Sequence, residues 1–284
     1  MTFKISSDST CDLSQEIVKE NDITIVPLTI LLGGKEYHDN VDITAKEVID
    51  FVEGNKNAAL PKTAAVPVET YIEYFKKLTE DGSEVIHFDI SSEDSSCYEH
   101  ALAASKEVKG VYVVDTRQLS SGQGLVVMKA VDLRNEGKSA KEVFDFIENW
   151  KMSVRTSFVV DRLDFLHKGG RCSLLALLGA KLLKIHPYIS MNNGSLAVKK
   201  KYTGSLMRSV TQYVTDLAVE YGEKYDKKRC FITHCFADKD IFEAVKAKVE
   251  ELFNFDEIIE TVAGTTVSSH CGRNTIGVLF SLND

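Results

Sequence analysis

Val85-Ile86-His87-Phe88-Asp89-Ile90-Ser91-Ser92-Glu93-Asp94-Ser95-Ser96-Cys97-Tyr98 is the stretch that decides the fold. A mainly apolar, strand-like run, Val85 to Ile90, passes into a hydroxyl-rich turn, and the pattern from Tyr98 to Val108 has helical spacing. A strand that ends in such a turn and opens a helix gathers free N–H groups and serine hydroxyls around one point. The first four amides of a helix have no internal partner and carry positive partial charge, so that point suits a carboxylate or phosphate. Thr63 offers a second hydroxyl upstream, just before another expected helix start, and His270 sits near the C-terminus in His270-Cys271-Gly272. Singly, each has a plain structural reading: a serine or threonine there is an N-cap worth about 1 kcal/mol, and the histidine is a hydrogen-bonded core residue. In combination they point to a site for one small anionic group.

The same alternation spreads outward from this stretch. Phe3 to Ser7 reads as a strand leading into Asp8-Ser9-Thr10-Cys11-Asp12, with a short helix to Asn21. Ile23 to Leu32 is strand-rich and closes at Gly33-Gly34. Thr44-Ala45-Lys46-Glu47 is a capping box that opens a helix over Glu47–Glu53. Val111 to Val114 is a further short strand. The order predicts an α/β fold whose first half is a mainly parallel sheet flanked by helices on both faces. In such sheets ligands bind beyond the carboxyl ends of the strands, where the turns at Asp8–Thr10, Ser91–Ser96 and Asp115-Thr116 fall. The second half starts near Thr156. It offers a strand at Phe158-Val159-Val160, a helix over Asp161–His167 ending at Gly169-Gly170, and strands at Tyr188–Met191 and Ser195–Val198. Asn192-Asn193-Gly194 between those two strands is a hairpin signal. A long helix over Leu206–Lys224, a strand at Cys230–His234, a helix over Lys239–Phe253, and strands at Glu257–Val262 and Ile276–Leu282 complete a second α/β unit. The expected domains are residues 1–155 and 156–284, with the boundary near 153–157.

The chain has 284 residues, 44% of them hydrophobic, enough for one large domain or two of ordinary size. A net charge of −8 argues against a nucleic-acid partner, which demands a basic footprint. No signal peptide and no membrane span are expected, since neither an apolar stretch behind a basic start nor a run of about 18 apolar residues is present. The six cysteines, at 11, 97, 172, 230, 235 and 271, form no C-x-x-C pair, which fits a reduced, cytoplasmic protein. Cys230, His234 and Cys235 bracket a strand-like run, so no metal is expected there. Gly122-Gln123-Gly124 lacks the third glycine of a dinucleotide fingerprint, and there is neither a Walker-type loop nor a Gly-x-Ser-x-Gly elbow. One enzyme alternative stays open: a small hydrolase or acyl transferase with Ser95, Cys97 or Ser9 as nucleophile and His270 or His87 as base.

End to end, the sequence resembles the DegV family of fatty-acid-binding proteins. The segments that carry the resemblance are Asp8-Ser9-Thr10-Cys11-Asp12-Leu13, Val26-Pro27-Leu28, Pro61-Lys62-Thr63, Ile90-Ser91-Ser92 with Ser95, and Val113-Val114-Asp115-Thr116 with Ser121-Gly122-Gln123-Gly124. Leu163-Asp164-Phe165-Leu166-His167-Lys168-Gly169-Gly170-Arg171 and His270-Cys271-Gly272 complete the set. The resemblance implies two α/β domains with a ligand tunnel between them, a long-chain fatty acid as ligand, and no cofactor. It also implies a separate fatty acid kinase as partner. By position Thr63, Ser95 and His270 match the family's carboxylate-holding threonine, serine and histidine, with Ser9, Ser96 and Gly272 as possible additional contacts. The chain departs from the family pattern around them: Ala64-Ala65-Val66 replaces Ser-Gln-Pro, Asp94 replaces Leu, Ser96-Cys97 replaces Gly-Thr, and Arg273-Asn274 replaces Pro-Gly. The apolar run Ser173 to Leu183 reads either as part of a tail lining or as a plain core helix. Lys168, Arg171 and Lys199-Lys200-Lys201 are basic spots suited to docking an acidic partner surface.

Overall fold

The computed structural model describes residues 3–55, 59–168 and 185–283. Strand β1 (Lys4–Asp8) passes through a short turn of 3-10 helix, Ser9–Cys11, to α1 (Gln15–Glu20) and β2 (Ile23–Val26). A hairpin of β3 (Thr29–Leu32) and β4 (Lys35–His38) precedes α2 (Ala45–Gly54), β5 (Lys62–Ala64) and α3 (Val68–Thr79). Then come β6 (Val85–Asp89), α4 (Cys97–Ser105), β7 (Val111–Asp115), α5 (Ser121–Asn135) and α6 (Ala140–Trp150). The second half holds β8 (Val154–Arg155), β9 (Ser157–Val159), α7 (Leu163–Lys168), β10 (Ile185–Asn192), β11 (Ser195–Thr203) and α8 (Leu206–Tyr221). It ends with β12 (Tyr225–His234), α9 (Lys239–Leu252), β13 (Glu257–Val262), α10 (Thr265–Cys271) and β14 (Ile276–Leu282).

The first sheet has the order β2-β1-β6-β7 and every pairing in it is parallel. All five residues of β6 are buried, the mark of a strand covered on both faces. The deciding stretch thus behaves as its sequence predicts, and so does the capping box: the Thr44 side chain accepts from the Glu47 N–H while the Glu47 carboxylate accepts from the Thr44 N–H. The run Ile23 to Leu32 does not stay in one sheet. Pro27 has no N–H to give a ladder, and the chain leaves the parallel sheet there. It re-enters as β3 of a separate sheet, β4-β3-β5, which the sequence reading did not anticipate.

The second half builds a larger mixed sheet, β11-β10-β9-β14-β12-β13, with β8 paired to β14. The hairpin signal holds. Asn193 and Gly194 have φ of +49° and +86°, the two left-handed residues of a type I′ turn, and β10 and β11 run longer than the apolar pattern alone suggested.

Helix α5 packs between the two large sheets. It touches β1 and β6 of the first and β8 and β14 of the second, and most of its residues from Ser121 to Leu133 are buried. The glycine-rich start of this helix is explained by packing. A Cβ on Gly122 would lie 1.8 Å from Thr156 Oγ1, so only glycine lets the helix approach the strand entering the second sheet.

Candidate functional site

A cavity of about 70 Å³ lies where the turn after β6, the short strand β5 and helix α10 meet. Its wall is mainly apolar, with Leu28, Ile90, Leu119, Phe158, Leu166 and Leu196. The polar residues in that wall are Thr63, Asp94, Ser95, Thr266 and His270. A second cavity of about 30 Å³ shares Leu119, Phe158, Val267 and Cys271 with the first. The two are small beside the 300–1,000 Å³ of pockets that enclose a sizeable ligand, and the shared side chains stand between them.

Three residues singled out from the sequence come together here from distant parts of the chain. Thr63 sits in β5, opposite Ile30 of β3. It is not at a helix start, as the sequence reading had it, because α3 begins only at Val68 with Pro67 as its N-cap. Strand geometry points the Thr63 hydroxyl across the cavity, where its Oγ1 hydrogen bonds to His270 Nε2 at 2.9 Å. Ser95 does lie at a helix start. Its Oγ accepts from the Cys97 N–H at 3.3 Å and donates to Cys97 Sγ at 3.2 Å.

The additional candidates fall elsewhere. Ser96 is the N-cap residue of α4, exposed and without a side-chain capping bond. Gly272 caps α10 with φ of +72°, with the Phe165 ring against its α-carbon. Ser9 is buried away from the cavity. It donates to Asp39 Oδ2 at 2.8 Å and accepts from the Leu28 N–H at 3.1 Å.

That last contact belongs to a device the sequence reading missed. Helix α10 carries Thr266, Val267, His270 and Cys271 into the cavity wall, yet its own N-cap is Gly264, which has no side chain to cap with. Two carboxylates from the first half of the chain supply the cap instead. Asp39 accepts from the Thr265 N–H at 2.9 Å and the Thr266 N–H at 3.2 Å. Asp12 accepts from the Gly264 N–H at 2.8 Å and from Ser120 Oγ at 2.5 Å. Both acids are almost wholly buried, and burial drives their carboxyls upward: Asp12 to about 8, against the bonds from Ser120 and Gly264, and Asp39 above its ordinary range, against bonds from Thr266 and Ser9. The Asp8-Ser9-Thr10-Cys11-Asp12 segment therefore positions the histidine helix and does not line the cavity. A signal for this was present in the sequence: Gly264 precedes Thr265-Thr266 with no Ser, Thr, Asp or Asn at the N-cap.

The remaining polar core explains why other candidates are occupied. His87 is fully buried, with Nδ1 against Ser6 Oγ at 2.8 Å and Nε2 against Asp89 Oδ1 at 3.2 Å. Asp89 Oδ1 also accepts from Tyr71 OH at 2.7 Å. His87 thus serves Ser6 and Asp89, and it does not line the cavity that holds Ser95. Burial, then the charges of Asp8 and Asp89, push the Cys97 thiol well above its ordinary range. Asp8, Asp89 and Cys97 place ligand-type atoms within 4.8 Å of one another. Both oxygens of Asp8, however, already accept hydrogen bonds from Thr10, Gln123 and the Ile90 N–H, so Asp8 is engaged within the core, while Asp89 Oδ2 is buried without a hydrogen bond among the described residues. Cys11, Cys97, Cys230, Cys235 and Cys271 are buried free thiols. His234 bonds Glu260 and the Ala237 N–H.

Of the basic spots, Lys200 pairs with Asp216 at 2.5 Å and lies over the Tyr202 ring, and Lys199 pairs with Glu220. Arg171, the Lys168 side chain, Cys172 and the apolar run Ser173 to Leu183 lie outside what the structure describes.

Fold and site together define an α/β protein with two large sheets and a mainly apolar cavity that bears a few converging hydroxyl and imidazole groups. Among the described residues, no helix is long and apolar enough to cross a membrane. A family model described as "Uncharacterised protein, DegV family" matches residues 2–283, and the chain belongs to that family. A DegV domain-containing protein of Clostridium acetobutylicum is 32% identical over 280 residues, which cover 98% of each chain. Among solved structures, one described as fatty acid binding of a DegV family protein from Thermus thermophilus aligns with a TM-score of 0.90 at 27% identity, covering 99% of this chain and 100% of that one. A stearic acid-binding protein from Eubacterium ventriosum aligns with a TM-score of 0.88 at 28% identity, covering 99% and 98%.

Proposed function

We propose that this protein binds a long-chain fatty acid, holding the carboxylate among Thr63, Ser95 and His270 and burying the tail in the apolar cavity behind them. The observation that carries this reading is the convergence of those three groups on one mainly apolar cavity, with Thr63 and His270 already at 2.9 Å. Hydroxyl and imidazole donors form charge-assisted bonds to a carboxylate that are about twice as strong as neutral ones. The tail adds about 0.8 kcal/mol per buried methylene and dominates affinity. The fatty-acid-binding descriptions of the structural neighbours support the same ligand class.

The finer reading is a carrier: residues 1–155 supply the headgroup turns, residues 156–284 supply the acyl pocket and partner face, and the bound acid is presented to a separate fatty acid kinase. Docking would use Lys168, Arg171 and Lys200. The hydrolase or transferase alternative is disfavoured by the raised, buried Cys97 thiol and by the engagement of His87 with Ser6 and Asp89. Mass spectrometry of lipid extracted from protein purified with nothing added tests the binding. Stoichiometric fatty acid is expected, and its absence, together with no saturable binding of added acid, overturns the reading. The same protein incubated with ATP and fatty acid should form no acyl phosphate until a kinase is added.

A further inference from the structure

We propose that Asp8, Asp89 and Cys97 form a binding site for one zinc(II) ion, behind the turn that carries Ser95 into the cavity wall. The site is separate from the cavity and does not depend on the fatty-acid reading. One carboxylate oxygen from each acid and Cys97 Sγ lie within 4.8 Å of one another. Asp89 is fully buried, and its Oδ2 has no hydrogen bond among the described residues. Its Oδ1 is already engaged, by Tyr71 OH at 2.7 Å and His87 Nε2 at 3.2 Å, which leaves Oδ2 to an ion. Neither acid has a lysine or arginine as ion-pair partner among the described residues; the basic group in contact is the His87 imidazole.

Two buried carboxylates side by side repel each other, and burial penalises their charged forms. Burial, then the charge of Asp89, raises the Asp8 carboxyl to about 6. A dication between them offsets both effects and gives the lone oxygen a partner. The donor set selects the ion. Carboxylates alone suit magnesium, calcium or manganese, whereas a thiolate among them selects a softer metal such as zinc. Zinc bonds of about 2.0–2.3 Å set tetrahedral ligands roughly 3.5 Å apart, which modest rotation of the three side chains reaches. Zinc displaces the Cys97 thiol proton, which passes to solvent. The supporting contacts are in place. Tyr71 and His87 orient Asp89, while Thr10, Gln123 and the Ile90 N–H orient Asp8. Asp8 Oδ2 accepts from the Ile90 N–H at 2.8 Å and keeps a second lone pair for the ion. A fourth position is open to water or to Ser95 Oγ, which stands 3.2 Å from Cys97 Sγ. The ion would brace the start of α4, and Ser95 with it.

The test adds cobalt(II), whose absorption reports thiolate ligation, to wild type stripped of metal with a chelator. A thiolate-to-cobalt charge-transfer band should appear, and one equivalent of zinc should remove it. Zinc should also raise the thermal unfolding midpoint of wild type. Cys97→Ser and Asp89→Asn should each weaken zinc binding at least about a hundredfold, and Tyr71→Phe about tenfold. Cys230→Ser, which alters a buried thiol elsewhere, should leave the affinity unchanged. Where one variant does not fold, the other decides together with the wild-type cobalt spectrum. Absence of the band and of any zinc-induced shift overturns the inference and leaves Asp8 and Asp89 as a carboxyl pair sharing a proton. Zinc binding that survives Cys97→Ser or Asp89→Asn places the ion elsewhere and overturns it as well.

Discussion

Replacing Asp39 with alanine tests the idea that the histidine helix is capped by the other half of the chain. The carboxylate accepts three hydrogen bonds, from Thr265 N–H, Thr266 N–H and Ser9 Oγ, at 2.8–3.2 Å. Ser9 keeps a second bond, from the Leu28 N–H, so two backbone amides at a buried helix start lose their partner. A buried donor left unpaired costs about 1–3 kcal/mol, which gives roughly 2–6 kcal/mol. Removing a buried acid whose carboxyl is already driven upward recovers part of that. The net expectation is a loss of about 2–4 kcal/mol, within the range a domain of 5–15 kcal/mol survives. Asp39→Asn keeps the shape and one acceptor oxygen, so it should cost about half as much. Urea unfolding reads the stability, and titration with a fatty acid reads the site, where a loosened α10 should weaken binding about tenfold through His270. An Asp39→Ala protein within 1 kcal/mol of wild type, with unchanged ligand affinity, would refute the reasoning.

Other outcomes follow from the same contacts. Ser95→Ala and Thr63→Val should each weaken fatty acid binding by about 1–3 kcal/mol, and unchanged affinity in the double variant would sink the headgroup assignment. Asp12, raised to about 8 from an ordinary 3.8, holds its proton in the folded state. Its contribution to stability is therefore fully present below about pH 4 and is lost as pH rises through about 8. Asp12→Asn mimics the protonated form and should flatten that decline in denaturation midpoints taken from pH 4 to 9; an identical slope would exclude Asp12 as its source. Gly194 has φ of +86°, and a Cβ there would meet Arg117 Nε at 2.5 Å. Gly194→Ala should destabilise by about 1–3 kcal/mol, visible as a drop of several degrees in Tm, and an unshifted Tm counts against a fixed hairpin turn.

Much of this was legible from the chain because local signals and tertiary placement agree. The deciding stretch has strand chemistry up to Asp89 and helix chemistry after Ser96, and both neighbours in the sheet are parallel. Asn193-Gly194 has the left-handed residues its turn requires. What escaped the sequence depended on partners far along the chain. Nothing near Asp39 says that it caps a helix more than two hundred residues away, and nothing near Ser9 says that its hydroxyl serves Asp39 and not a ligand. The third sheet escaped because Ile23 to Leu32 is uniformly β-prone, and only the missing N–H of Pro27 marks where the chain changes partners. Thr63 was assigned the wrong local role yet the right neighbourhood, since its meeting with His270 is set by the β3–β5 pairing and not by a helix start.

The geometry also bears on what chemistry such a site can support. Catalysis needs groups that hold a transition state more tightly than the bound substrate, and a serine or cysteine nucleophile needs a base within hydrogen-bond reach. Here the Ser95 hydroxyl donates to a neutral thiol and the His270 imidazole faces Thr63. Asp12 and Asp39 accept from the backbone N–H groups at the other end of its helix. They fix where His270 stands. Thr63, Ser95 and His270 in one mainly apolar wall form an arrangement suited to a small anionic group.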